Sequence, residues 1–143
     1  MSPYIEVWIP IVPKGKQRHR IANGRAYTPQ QTRRFESAIR KAVAASYDGD
    51  PVTCGVRIIV DAFFQRPKKP HRGHLCNRSD GPHPLSMGGS CYPDSSNVLK
   101  AAEDAMNGVA YVDDAQAADV QCRRWWVARG DEPGMHIRVW VIS

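Results

Sequence analysis

Hydrophobic and polar positions change their period repeatedly along this chain, and each change marks an element. Tyr4 to Ile11 alternates apolar with polar side chains and is rich in β-branched residues, which predicts a strand closed by Pro10 and Pro13. Asn23-Gly24, between short flanks, is a strong turn signal for a hairpin. Thr28-Pro29-Gln30-Gln31 predicts a helix start, with Thr28 as N-cap, Pro29 at the first helical position and Gln31 completing a capping box. Phe35, Ala38, Ile39, Ala42 and Val43 then share one face, carrying that helix to about Ser46.

After the turn Asp48-Gly49-Asp50-Pro51, the period returns to two. Val52 to Phe64 predicts a strand with Val56, Ile58, Val60 and Ala62 on one face and Arg57, Ile59, Asp61 and Phe63 on the other. From Arg66 to Cys91 no period survives, and Pro, Gly, Ser and basic residues dominate, which predicts an irregular insertion over about residues 66–92. Helical spacing resumes at Ser96 and runs to Met106, with Asp94, Ser95 or Ser96 as N-cap and Gly108 as the stop. Val98, Leu99, Ala102, Ala105 and Met106 fall in one arc of this helix, whereas Asn97, Lys100 and Asp104 fall in the opposite one. Val109 to Val112 is a short apolar run, Ala117 to Val127 reads as a strand, and Met135 to Ile142 as a last strand after a turn over 130–134.

Separate strand and helix blocks in this order predict an α+β, two-layer domain: a small mixed β-sheet with two main helices packed on one face. At 143 residues the chain is expected to be one domain, 1–143. No apolar run approaches eighteen residues, which predicts no membrane span, and the N-terminus lacks a signal-peptide pattern, so the expected location is cytoplasmic. A net charge of +6 and a pI of about 9.4 suit a polyanionic partner. Lys14, Lys16, Arg18, Arg20 and Arg25 crowd the hairpin region, and Lys68, Lys69 and Arg72 open the insertion; of these, Lys14, Lys16, Arg18, Arg20, Lys68, Lys69 and Arg72 are the expected nucleic-acid contacts.

Against this basic background, residues 92–116 gather Asp94, Asn97, Glu103, Asp104, Asn107, Asp113 and Asp114 around Lys100. Asp94 stands where the helix dipole favours an anion, and the apolar run returns Asp113 and Asp114 toward the same region. Two acidic clusters converging beside a lysine suit Mg²⁺, which prefers a few carboxylates plus water and phosphate oxygens. Taken singly, Asp94 is more often a helix cap and Asp113-Asp114 a turn; only their combination points to a site.

In combination these residues resemble the RusA-like crossover junction endodeoxyribonucleases, a family common in phages and prophages. Its pattern D-x-D-N-x-x-K, then D-A-L with a glycine near the helix end, then D-D-x-Q, stands here as Asp94-Ser95-Ser96-Asn97-Val98-Leu99-Lys100, Asp104-Ala105-Met106-Asn107-Gly108 and Asp113-Asp114-Ala115-Gln116. Gly15 to Arg20 and Tyr27 to Thr32 are similar to the N-terminal pattern of phage members. One position departs: the family's second aspartate is Ser96. The resemblance implies resolution of four-way (Holliday) DNA junctions by a homodimer using Mg²⁺, with Mn²⁺ able to substitute, and no small-molecule cofactor. It assigns metal binding to Asp94 and Asp114, support from Asp113, a phosphate-facing role to Lys100, and places Asn97 and Asp104 as supporting residues. Glu103, on the same helical flank as Ser96 and Lys100, is the candidate to replace the missing carboxylate.

Two rival readings stay open. One is a junction-binding protein whose nuclease chemistry was lost with the aspartate at position 96. The other is a zinc-stabilised nucleic-acid module using His71, His74, Cys76, His83 and Cys91, whose spacing matches no standard zinc pattern. Cys54 and Cys122 fall in predicted strands and are expected to be buried thiols, with no disulfides in a cytoplasmic chain. Among Arg123, Arg124, Trp125 and Trp126, alternation along a strand predicts that at least one tryptophan packs in the core.

Overall fold

A computed structural model describes residues 2–16, 20–27, 29–67, 81–85 and 92–142. Strand β1 (Ile5–Ile9) is followed by the hairpin β2 (Arg20–Ala22) and β3 (Arg25–Tyr27), helix α1 (Gln30–Ser46) and strand β4 (Val56–Phe64). A two-residue strand β5 (His83–Pro84), helix α2 (Ser95–Met106), a 3₁₀ turn (Asp114–Gln116), β6 (Ala117–Trp126) and β7 (Gly134–Val141) complete the chain. The main sheet has the order β1-β7-β4-β6-β5. Among the paired strands of the described residues only β4 and β6 run parallel, so the sheet is mixed and the fold is α+β. The parallel pair requires a crossover, and α2 lies within it.

One sheet face is apolar because the strands alternate. Ile5 and Ile9, Val56, Ile58, Val60 and Ala62, and Met135, Ile137 and Val139 are all buried there. Both helices bury their stripes in the same core: Phe35, Ile39 and Val43 from α1, Val98, Ala101, Ala102, Ala105 and Met106 from α2. The parallel register opposes Val60 to Cys122, Ala62 to Arg124 and Phe64 to Trp126. Trp126 is therefore the core tryptophan, while Arg123 and Trp125 share the opposite face with Asp61, to which both donate hydrogen bonds.

Several expectations shift. The second main strand starts at Val56, because Val52 makes only a bridge to Tyr111. Helix α1 takes Pro29 as N-cap, without a side-chain cap bond, and the expected cap, Thr28, lies outside the described residues. Cys54 precedes β4 and is exposed, so it is not the buried thiol its expected place in a strand implied; Cys122 is largely covered. Within the irregular insertion, His83 and Pro84 pair with Trp126 and Trp125 of β6. His71, His74, Cys76 and Cys91 lie outside the described residues. The hairpin forms as its turn residues dictate, with Asn23 at φ 52° and Gly24 at φ 74°. No helix among the described residues is long and apolar enough to cross a membrane.

Candidate active site

Helix α2 carries the site. Asp94 caps it: the side chain accepts a 3.0 Å hydrogen bond from the Asn97 backbone N–H and another of 3.0 Å from the Ser96 hydroxyl. These bonds, with the charge of Arg124, hold the exposed Asp94 carboxyl below the ordinary aspartate range. Ser96, standing where the family pattern has an aspartate, thus directs its hydroxyl at Asp94. Lys100 lies six residues further on, about 9 Å along the helix axis.

Around Lys100 the acidic residues close in. Its Nζ lies 3.4 Å from Asp104 Oδ1 and 3.4 Å from Asp114 Oδ2. The negative charge of Asp104, foremost, and that of Asp114 raise the Lys100 pKa. Glu103 is pushed up by burial and by the nearby charge of Asp114. A hydrogen bond shared between Asp113 and Asp114 lowers Asp113 and raises Asp114. Crowded negative charge beside a lysine is what a cation would relieve. Lys100, Glu103, Asp104, Asp113 and Asp114 are therefore brought together, while Asp94 and Asn97 stand at the N-terminal end of the same helix.

The Asp113–Asp114 turn is placed by a residue to which the sequence motif assigns no role. Gln116 Oε1 accepts from the backbone N–H groups of Val112 and Asp113, both at 3.0 Å, and its Nε2 donates to Val52 and Cys54 carbonyls, both at 2.8 Å. Asp113 caps the 3₁₀ turn in return, completing a capping box. The signal was present in the sequence as Asp113 followed three residues later by Gln116. Behind the turn, the buried Tyr111 donates its hydroxyl to the Glu103 carbonyl at 2.7 Å.

Beside Asn97 a cavity of about 370 Å³ opens between α2, α1 and the segment after β1, lined by Lys14, Gly15, Lys16, Thr32, Tyr92 and Asn97 among others. A Cβ on Gly15 would lie 2.7 Å from Pro93 Cβ and 3.1 Å from Asn97 Cβ, so only glycine lets the two backbones approach this closely. Lys14 and Lys16 both line the cavity, and Lys16 is also bound to Glu36 and Asp104. Arg20 opens β2, and Arg18, Lys68, Lys69 and Arg72 lie outside the described residues.

The donor set is all oxygen, which suits a hard divalent cation. Among the described residues no three His, Cys, Asp or Glu side chains sit close enough to hold an ion unaided. That arrangement still fits Mg²⁺, which commonly takes one or two carboxylates and completes its shell with water and substrate phosphate.

A basic approach, an oxygen-donor carboxylate group and a half-exposed lysine on an α+β scaffold make a class of site suited to phosphodiesters. The family model described as Endodeoxyribonuclease RusA matches residues 9–140, nearly the whole chain, and the chain belongs to that family. RusA nucleases act on branched junction DNA and are generally dependent on a divalent metal. No curated protein matches the chain significantly.

Proposed function

We infer that this protein is a Mg²⁺-dependent, structure-selective endonuclease that resolves four-way DNA junctions by paired nicks, folded as one domain and acting as a homodimer. The observation that carries the reading is the Lys100 ammonium between Asp104 and Asp114 on a RusA-family chain. Asp94 and Asp114 would be the metal-holding carboxylates, with Asp113 or Glu103 assisting and water and substrate phosphate completing the shell. When bound there, the cation polarises the scissile phosphate and lowers the pKa of the attacking water. Lys100, half exposed, leaves its partners partly for a phosphate oxygen and neutralises charge that grows in the transition state. Lys14 lines the cavity next to Asn97 and meets the phosphate backbone; Arg18, Arg20, Lys68, Lys69 and Arg72 are the further cations for the DNA arms. A two-fold dimer presents two such sites to opposed strands of a near-symmetric junction.

A second reading is favoured by one observation. The Ser96 hydroxyl donates to Asp94 where a further carboxylate would have added charge, and a chain so altered can keep junction binding and lose cleavage. The deciding experiment presents end-labelled four-way junction and linear duplex of the same sequence, with Mg²⁺, and maps every cut. Paired cuts in opposed strands of the junction alone support the resolvase. Tight junction binding with intact strands supports the binding protein.

A further inference from the structure

Lys16 sits in a run of cations that reads as a DNA-contacting hairpin, yet its surroundings differ from those of a phosphate contact. Its Nζ lies 2.6 Å from Glu36 Oε1 on α1 and 3.0 Å from Asp104 Oδ2 on α2. The side chain is 20 % exposed, against 54 % for Lys100. Its two carboxylate contacts are shorter than the 3.4 Å contacts of Lys100, so its ammonium is the more tightly committed of the two lysines. Asp104 gives its other oxygen, Oδ1, to Lys100 at 3.4 Å, and Lys100 continues to Asp114 at 3.4 Å. Charges therefore alternate along Glu36, Lys16, Asp104, Lys100 and Asp114, linking α1 through α2 to the 3₁₀ turn. The backbone fixes the start of this chain: Lys16 N–H donates to the Asn97 carbonyl at 3.1 Å, and Gly15 closes against Pro93.

We propose that Lys16 is a positioning residue for Lys100, acting through Asp104 rather than on DNA. By occupying Oδ2 of Asp104 it halves the claim that this carboxylate makes on Lys100, leaving the Lys100 ammonium free to share itself with a substrate phosphate. Without Lys16, the full charge of Asp104 falls on Lys100, and Glu36 and Asp104 face each other with no cation between them. The inference rests on the reading of Lys100 as the phosphate-facing lysine.

The test is a double-mutant cycle. Wild type, Lys16→Met, Asp104→Asn, the double variant and Lys16→Arg are compared for single-junction cleavage in Mg²⁺, for junction binding in Ca²⁺ over a salt series, and for melting temperature. Lys16→Met should lower kcat about tenfold, as a misplaced catalytic group does, with KM unchanged. Adding Asp104→Asn should return kcat to within about threefold of Asp104→Asn alone, because the carboxylate that misdirects Lys100 is gone. Lys16→Arg should recover part of the loss. The proposal is overturned if Lys16→Met raises KM and reduces the salt slope of binding by about one, the mark of a lost phosphate contact. It is equally overturned if the two single losses multiply, or if kcat falls only as the fraction of unfolded protein rises. Should wild type make no cuts, the nuclease reading fails separately, and the salt slope still decides Lys16: unchanged supports the positioning role, a drop of about one removes it.

Discussion

Replacing Gln116 with alanine should loosen the Asp113–Asp114 turn from the strand layer. One side-chain amide there makes four hydrogen bonds, two accepted from Val112 and Asp113 and two donated to Val52 and Cys54. At a net ~1 kcal/mol each, they would sum to about 4 kcal/mol if nothing replaced them. Three of the four lie in exposed surroundings, where water takes over the freed groups. The bond to the Val52 carbonyl is part-buried, and its loss is the least compensated. An overall loss of about 2 kcal/mol is therefore expected. Urea unfolding measures it, and hydrogen exchange localises it, since the Asp113 amide should lose protection before the strands do, whereas the Val112 N–H keeps the Val52 carbonyl at 3.3 Å. A loss below about 0.5 kcal/mol, with exchange at the Asp113 amide unchanged, would show that Gln116 does not hold the turn.

Three further outcomes follow from the geometry. Burial alone would raise the Asp61 pKa, but hydrogen bonds from Arg123 and Trp125 and the charges of Arg123 and Arg138 outweigh it and hold the carboxyl below its ordinary value. Its contribution is thus complete above the unfolded value of about 4 and is lost as pH falls through the lower folded value. Asp61→Asn should cost about 3 kcal/mol at pH 7 and flatten the acid limb of stability below about pH 4; urea midpoints that fall in parallel with wild type would contradict this. Gly15→Ala places a methyl 2.7 Å from Pro93 Cβ, and should cost about 1–3 kcal/mol while weakening junction binding; an unchanged melting curve and affinity would show that the segment is not docked on α2. Burial, with the Asp61 charge second, pushes the Cys122 thiol up to about 12, whereas Cys54 is exposed. Alkylation near pH 8, read by peptide mass, should label Cys54 first and Cys122 only on unfolding; equal rates would contradict the burial of Cys122.

What the sequence made legible was local. The period of α2, the Asp94 cap, the positive-φ Gly108 after it and the Asn23-Gly24 hairpin each depend on neighbours within a few residues, and each formed as read. Placement across the sheet was not legible. Nothing in the run from Met135 to Ile142 says that β7 lies between β1 and β4, or that β4 and β6 run parallel, because pairing is settled by the whole core. The same limit applies to the site. Lys16 reads as one more cation in a basic run until the fold brings Glu36 and Asp104 to it from two different helices. Cys54 reads as part of a strand until Gln116 claims its carbonyl and the strand begins later, at Val56. Gln116 itself lay in a recognisable motif, and only the fold shows that it binds the carbonyls of Val52 and Cys54 across the chain.

With Ser96 in place of an aspartate, the carboxylates around Lys100 are expected still to support cleavage. Titrating Mg²⁺ against nicking of a labelled four-way junction for wild type, Asp114→Asn and Ser96→Asp decides this. Metal-dependent cuts are expected from wild type, none from Asp114→Asn, and half-maximal cutting from Ser96→Asp at a lower Mg²⁺ concentration. Silence from wild type together with cutting by Ser96→Asp would contradict this, and would make this chain a junction-binding protein one residue away from a nuclease.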